Sequence, residues 1–253
     1  MNKTISILIA AFKAELWLEQ CVDSIRRQEL PDGWELEIII GVDGCLQTLR
    51  VARQIDMQDL KIISLKENYG TYVTFNTLMK FATGELICRF DADDAMMPGY
   101  ISEQLDYLQH NSHMTTAWSI STDETLCPRY PEAPKINKQT ICNTPQRVAE
   151  GNFIIRQSVW KELGGFQPWR CGADTDFKER VNVLGLCITV VEKPLYYRRK
   201  HANSLTAHPA TNFNSELRQS IIDKVVEYAA AYQCKSRPLM LTPVYGEVDE
   251  VYE

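Results

Sequence analysis

The sequence lacks the features that define several large classes of protein. It has no Cys-x-x-Cys pair among its eight cysteines, no internal repeat and no run of about 18 apolar residues. Its first residues lead straight into a strand-like run, without the long apolar region of a signal peptide. From these absences we expect free thiols and a soluble, cytoplasmic protein without a membrane span, for which peripheral association with a membrane stays open.

An excess of positive charge is also missing. The chain has 27 Lys and Arg residues against 33 Asp and Glu residues, which gives a formal net charge of −6. Proteins that bind nucleic acid generally present a basic surface, so we expect no nucleic-acid partner. An acidic protein that binds a phosphorylated ligand needs a positive group between the two, and a metal ion is a natural one.

Apolar runs alternate with amphipathic stretches through the first third of the chain. The runs predict strands at residues 5–11, 36–42, 60–65 and 86–90. Helices are predicted between them, and this alternation is typical of an α/β fold in which helices flank a mostly parallel sheet.

The rest of the chain is less regular. We predict an irregular surface excursion at residues 123–146, because it contains several prolines. A long helix is predicted at residues 214–232, with an apolar face that packs on the core or on a second copy. The acidic tail at residues 247–253 is expected to fray in solvent.

Three carboxylates close the strand predicted at residues 86–90. Asp91, Asp93 and Asp94 directly follow its apolar run. Open α/β sheets bind ligands at the carboxyl ends of their strands, and crowded carboxylates either raise the pKa of one member or recruit a cation. Oxygen ligands favour Mg²⁺ or Mn²⁺, which usually bind through one or two carboxylates and the phosphates of a substrate. The alternative is that Asp93 or Asp94 merely caps the helix that starts near Tyr100.

Other polar residues lie where predicted strands end or helices begin. Asp43 follows the second strand and suits either a ligand contact or a turn. Asp174 and Asp176 lie at the start of a helix, where Asp174 could cap the first turn. Asn68 and Gly70 precede another helix, whose N-terminus could donate N–H groups to an anion or simply follow a loop.

With these motifs in order, the chain resembles family 2 of the glycosyltransferases, which are inverting, metal-dependent enzymes with the GT-A fold. The resemblance covers roughly residues 4–206. Five stretches carry it, at residues 6–12, 37–44, 68–76, 84–94 and 164–177. The fold that this implies is a Rossmann-like, mostly parallel sheet flanked by helices, with a C-terminal helical extension.

The resemblance implies a donor site in the N-terminal half of the chain. The implied donor-binding residues are Ala10, Ala11, Phe12, Glu15, Asp43, Asn68, Gly70, Asn76, Asp91, Ala92 and Arg198. Asp43 matches the aspartate that accepts a hydrogen bond from the nucleobase, and a carboxylate suits the imide N–H of uracil or thymine. The implied donor is a nucleotide-diphosphate sugar, with UDP or dTDP favoured.

The same resemblance implies positions for a metal and a general base. Asp91 and Asp93 match the family's Asp-x-Asp pair, and His201 lies in a closing segment with the pattern His-x-x-Ser. These three side chains are the implied ligands of Mn²⁺ or Mg²⁺. Asp174 matches the catalytic aspartate, which takes a proton from the acceptor hydroxyl, and Asp176 is its substitute.

The function implied by the resemblance is nonprocessive transfer of one sugar to an acceptor hydroxyl in cell-surface glycan biosynthesis. Residues 1–98 would bind the nucleotide sugar, residues 99–208 would form the acceptor and catalytic half of the same domain, and residues 209–253 would add a helix and an acidic tail. The implied acceptor is a glycan, a lipid-linked molecule or a protein. The helix at residues 214–232 would suit a homodimer contact.

Two other functions stay open at this point. A metal-dependent phosphohydrolase of the haloacid dehalogenase type also places an Asp-x-Asp motif after an apolar strand, although early in its chain. A nonenzymatic sugar-binding protein is the second alternative. The presence of Asp91, Asp93 and Asp174 together argues against it.

Overall fold

The structure is a computed structural model, which describes residues 2–110, 112–127 and 151–253. Its strands are β1 (Lys3–Ala11), β2 (Trp34–Asp43), β3 (Leu60–Leu65), β4 (Leu86–Asp91), β5 (Ala95–Met96), β6 (Met114–Thr122), β7 (Phe153–Arg156), β8 (Ile188–Arg199) and β9 (Val248–Tyr252). Its helices are α1 (Leu18–Arg26), α2 (Leu46–Ala52), α3 (Thr71–Leu78), α4 (Tyr100–His110), α5 (Gln157–Leu163), α6 (Ala173–Val183) and α7 (Glu216–Gln233). Most of the excursion predicted at residues 123–146 lies outside the described residues.

One mixed sheet runs through the described part of the chain. Its strand order is β5-β8-β6-β7-β4-β1-β2-β3-β9. The pairs β4–β1, β1–β2 and β2–β3 are parallel, whereas β7 pairs antiparallel with both β4 and β6. The parallel centre confirms the predicted α/β fold. The division of the chain at residues 98 and 208 stays a prediction, and β7 joins strands from both sides of the first boundary.

Both faces of the central strands are covered, which explains their almost continuous apolar sequences. Along β1, Ile5, Ile7 and Ile9 pack in a cluster that includes the apolar side of α1. Leu8 lies in the opposite cluster, together with Phe75 of α3. Successive residues of a strand point to opposite faces of its sheet, so one strand serves both clusters. The result is a rigid base for the residues at the carboxyl ends of the strands.

The C-terminal tail differs from its prediction. Residues Val248–Tyr252 form β9, which pairs antiparallel with β3, so the expectation of a frayed tail at residues 247–253 is wrong. Without β9, the backbone groups along the outer side of β3 would lack strand partners. An ion pair between Lys66 and Glu247 adds to the contact.

Two expectations from composition can also be compared with the structure. Among the described residues, six cysteines are free but Cys187 is disulfide-bonded, so the expectation of free thiols throughout is wrong at that residue. In the described ranges, no helix has the combination of length and apolar character that crossing a membrane requires.

Candidate active site

A cleft of about 720 Å³ opens at the carboxyl ends of β1, β2 and β4. In the sheet, β2 and β3 lie on one side of β1 and β4 lies on its other side, so the strand order reverses at β1. Such a reversal point is the usual position of a ligand site in open α/β sheets. The cleft brings together most of the residues proposed from the sequence. These are Ala10, Ala11, Phe12, Asp43, Asn68, Gly70, Asp91, Ala92, Asp93, Asp174, Arg198 and His201.

The three carboxylates after β4 have different surroundings. Asp91 is held by Arg89, whose two terminal nitrogens donate to the two carboxylate oxygens at 2.8 and 2.9 Å. Asp94 is almost fully buried, and its oxygens accept hydrogen bonds from the backbone N–H of Arg199 at 3.0 Å and the side-chain amide of Asn152 at 2.8 Å. Asp91 and Asp94 therefore already have protein partners for both oxygens.

Burial and crowding affect the acidity of this group. Burial raises the pKa of Asp94 well above its usual value, and the neighbouring charges of Asp93 and Asp91 raise it further. Burial also raises the pKa of Asp91, although the positive charge of Arg89 opposes the shift. Hydrogen bonds to both carboxylates oppose these shifts, and the Asp91 side chain also keeps 37% of its exposure.

Asp93 differs from its two neighbours, because its main partner is a side chain that can itself bind a metal. Its Oδ2 lies 2.8 Å from Nε2 of His201, and its side chain keeps 27% of its exposure. The His201 ring packs on Trp17, with ring centroids 4.0 Å apart, and its Nδ1 is buried without a hydrogen-bond partner among the described residues. The pair therefore offers a carboxylate and an imidazole side by side, facing the cleft.

The residues present fit a divalent cation that is completed by a substrate. Within the described ranges, no group of three or more His, Cys, Asp or Glu side chains could hold a metal by itself. Mg²⁺ and similar ions commonly take only one or two protein ligands when substrate phosphates supply the remaining oxygens. Asp93 and His201 are the pair that could do so, whereas the Asp91 carboxylate is already paired with Arg89.

Asp174 lies in the first turn of α6 and lines the same cleft. The hydroxyl of Tyr72 donates a hydrogen bond to its Oδ1 at 2.7 Å. Burial alone would raise the pKa of Asp174, but the charges of Lys178 and Arg89 and the Tyr72 hydrogen bond together hold it below its usual value. The carboxylate is therefore ionised at neutral pH and can accept a proton.

Asp43 shapes the loop between β3 and α3. It is buried, and its two oxygens accept the backbone N–H groups of Tyr69 at 2.8 Å and Gly70 at 2.9 Å. Gly70 has a φ of 93°, a conformation that favours glycine. Asn68 in the same loop accepts a hydrogen bond from Arg170, which also lines the cleft. A contact between Asp43 and a nucleobase stays a prediction.

Three proposed site residues have other positions. Asp176 is completely buried and accepts hydrogen bonds from Arg180 at 2.9 Å and Tyr232 at 2.9 Å, so it joins α6 to α7 and faces away from the cleft. Asn76 is buried and bonds the backbone of Phe166. Glu15 accepts a hydrogen bond from Thr48 and is not part of the cleft wall. These contacts are structural and give no support to the roles suggested for the three residues in catalysis and donor binding, which stay predictions.

The structure also adds residues that the sequence reasoning missed. Tyr72, Trp17 and Asn152 line the cleft and contact its acids or His201, but nothing in their local sequence distinguishes them. Arg89 did carry a signal, because it is a charged residue inside an otherwise apolar strand. It is buried, and its guanidinium also lies over the ring of Phe75, 4.9 Å from the centroid.

Comparisons with known proteins identify the family of this chain. A family described as "Glycosyl transferase family 2" matches residues 6–164, so the chain belongs to glycosyltransferase family 2. An uncharacterized glycosyltransferase of Haemophilus influenzae is 33% identical over 118 residues, covering 46% of this chain and 36% of the relative. The amylovoran biosynthesis glycosyltransferase AmsE of Erwinia amylovora is 28% identical over 109 residues, covering 41% of this chain and 40% of the relative.

Solved structures confirm the architecture. The structure of S. aureus TarS residues 1–349 in complex with UDP-GlcNAc matches with a TM-score of 0.67 at 17% identity, over 93% of this chain and 73% of that one. This similarity confirms the GT-A type of α/β fold that the sequence predicted. The chain spans between 36% and 62% of the length of the first curated relatives that it matches.

Proposed function

We propose that this protein is a nonprocessive, inverting glycosyltransferase that moves one sugar from a nucleotide-diphosphate donor to an acceptor hydroxyl. The observation that carries the proposal is that Asp174 and the Asp93–His201 pair face one cleft. A UDP- or dTDP-sugar is the favoured donor, and the UDP-GlcNAc complex of TarS supports a uridine nucleotide. The name of the Erwinia relative, a glycosyltransferase of amylovoran biosynthesis, supports a part in cell-surface glycan biosynthesis.

The donor's diphosphate would enter an already acidic part of the cleft. Asp93 and His201 would hold Mn²⁺ or Mg²⁺, which, when bound, supplies positive charge to the departing diphosphate. Asp91 has a different task in this proposal, because Arg89 holds both of its oxygens. It would orient the donor beside the strand end, while Arg198, which lines the same cleft, would supply positive charge to the phosphates.

Asp174 would act as the general base. In an inverting displacement the acceptor oxygen bonds to the anomeric carbon while the bond from that carbon to the diphosphate oxygen breaks. The acceptor hydroxyl loses its proton to Asp174 during this step. The hydrogen bond from Tyr72 positions the carboxylate, and its lowered pKa keeps it deprotonated before the acceptor arrives.

A thermal-shift experiment tests the donor half of this proposal. We expect UDP or dTDP with Mn²⁺ to raise Tm more than either component alone, because a ligand stabilises a protein in proportion to the logarithm of its concentration over Kd. Asp93→Asn should remove the part of the shift that depends on Mn²⁺. Asp106→Asn, an exposed acid on α4, is the matched control and should respond like the unmodified protein.

Two outcomes would contradict the donor assignment. One is the absence of a shift with any nucleotide diphosphate, with or without the metal. The other is an Asp93→Asn protein that keeps the full Mn²⁺ response. Rapid hydrolysis of p-nitrophenyl phosphate would instead favour a phosphohydrolase, the alternative that family membership does not favour. A cytoplasmic location, peripheral membrane association and a homodimer through α7 stay predictions.

A further inference from the structure

One wall of the cleft is apolar, in contrast to the charged strand ends. It is formed by Leu205, Phe213, Leu217, Ile221, Ile222 and Val225, which we call the apolar wall. Four of its members come from α7 at helical spacing, so a single stripe of the helix faces the cleft. Soluble proteins leave single apolar residues exposed quite often, but a contiguous apolar surface inside a binding cleft indicates an apolar ligand group.

Several members of the wall are exposed in spite of this position. Phe213 keeps 64% of its exposure, Leu205 43%, Leu217 42% and Ile222 36%. Ile221 and Val225 are buried beneath them, where they pack with Cys171. The exposed side chains are therefore supported from below, and no residue among those described covers them from the cleft side.

The wall lies next to the proposed general base. A Cβ added to Gly172 would come within 3.0 Å of the Cγ2 of Ile221. Gly172 is the N-cap of α6, and Asp174 follows in its first turn. Asp176 and Tyr232 then lock α6 to α7 with a hydrogen bond of 2.9 Å. The apolar wall is thus held at a fixed position beside Asp174, on the part of the cleft where an acceptor would bind.

The chemistry of the wall does not suit a bare sugar. Sugars are usually bound by hydrogen bonds and by stacking on the faces of aromatic rings. Phe213 is the wall's aromatic residue, and the Arg218 guanidinium lies 5.1 Å from its ring centroid. Arg218 is held there by hydrogen bonds to the carbonyl oxygens of Thr211 at 2.6 Å and Leu205 at 3.3 Å. The remaining members are aliphatic and offer no hydrogen bonds.

We propose that the acceptor carries a hydrocarbon chain next to its reactive hydroxyl group, and that the apolar wall binds this chain. The inference rests on the proposed function, since it assigns the occupant of the acceptor side of the same cleft. An alkyl or isoprenoid chain matches the aliphatic stripe, and the wall's continuity with the Asp174 region places the hydroxyl group within the catalytic part of the cleft.

Calorimetric titration of the full chain tests this assignment. The probes are n-decyl β-D-glucoside, below the concentration at which it forms micelles, and methyl β-D-glucoside, both with UDP and Mn²⁺ present. Because each buried methylene adds to the affinity, we expect the decyl compound to bind about tenfold more tightly or better. The double variant Leu217→Gln/Ile222→Gln should lose about tenfold of this affinity by the same reasoning.

The chain supplies a matched control for the double variant. Val226 lies on the same helix with 48% exposure but does not line the cleft, so Val226→Gln should bind the decyl compound normally. Phe213 lies in the segment before α7. Its substitution by Ser (Phe213→Ser) should weaken decyl binding without altering the packing of the helix. Binding of UDP should be the same in all of these proteins.

Several results would overturn the inference. Equal affinity for the decyl and methyl compounds, or no decyl binding by a protein that binds UDP, would do so. Unchanged decyl affinity in the double variant would also do so. Conversion of a dimer to a monomer by Leu217→Gln/Ile222→Gln, with decyl affinity unchanged, would identify the wall as a subunit interface instead. Failure of the unmodified protein to bind any nucleotide would contradict the proposed function, which is a separate result.

Discussion

Two regions of the molecule contain clustered acids, and within each region the carboxylates differ in how far their oxygens are already paired. After β4, Arg89 pairs with both oxygens of Asp91, and Asn152 and a backbone N–H pair with those of Asp94, whereas the Asp93 carboxylate lies against the His201 ring. At the start of α6, Asp176 is buried against its partners, whereas Asp174 lines the cleft.

The comparison shows that burial and hydrogen-bond partners, rather than residue type, determine whether an aspartate supports the fold or can bind a ligand. A buried carboxylate whose two oxygens are already satisfied contributes to the fold, because freeing it would leave unpaired polar groups in the interior. A carboxylate at the cleft with a single hydroxyl or imidazole partner can exchange that partner for a ligand. Proximity in sequence does not decide between these tasks, as Asp174 and Asp176 demonstrate.

Substitution of Asp174 should have the largest effect on activity. In Asp174→Asn the side chain keeps its size but loses the ability to accept the acceptor's proton, so we expect kcat to fall by about 10² to 10⁴. Transfer can be measured as release of the nucleotide diphosphate in the presence of acceptor. UDP binding should be unchanged, and normal transfer by this variant would exclude Asp174 as the base.

Substitution of Asp176 should reduce the stability of the protein and leave its chemistry intact, the reverse of what is expected for Asp174. Asp176→Asn leaves the buried guanidinium of Arg180 without its charged partner, which should reduce the free energy of unfolding by about 3 kcal/mol or more. Urea unfolding measures this change. The folded variant should still carry out transfer at a temperature well below its Tm. Unchanged stability together with a loss of turnover would mean that Asp176 takes part in the chemistry.

Removal of the Tyr72 hydroxyl group should have a smaller effect, of about tenfold on kcat. Asp174 has a lowered pKa, so it stays deprotonated and the rate should fall only at pH values below the ordinary range of an aspartate. Tyr72→Phe removes a donor to the carboxylate, which raises that pKa and moves the acid limb of kcat/KM to higher pH. A pH profile that does not move would show that Tyr72 only packs against its neighbours.

Much of the fold could be predicted from the sequence because its signals are local. The apolar runs that form β1 to β4 predict the ends of these strands within one residue, except at the starts of β1 and β2, which begin two residues earlier than predicted. The C-terminal strand could not be found in this way. Residues Val248–Tyr252 are a short segment with two adjacent acids and no long apolar run, and they form a strand because β3 offers an edge to pair with.

The same limit explains what was missed in the site. Asp93 and His201 are 108 residues apart in sequence, and Tyr72 and Asp174 are 102 residues apart. The family resemblance identified Asp93, His201 and Asp174 but not Tyr72, because motif spacing contains no information about which distant side chain contacts a given acid. Trp17, Tyr72 and Asn152 are of residue types that occur in any core, so their sequence positions carry no functional signal.

The sequence by itself determined the α/β architecture, the position of the acidic strand end and the family to which the chain belongs. These follow from short-range periodicity and from residue types in a fixed order, which are properties of the chain before it folds. Only the tertiary structure decided which acids are available, because availability depends on burial and on donors from other elements. It also decided that one wall of the cleft is apolar, since that wall is formed where α7 packs on α6.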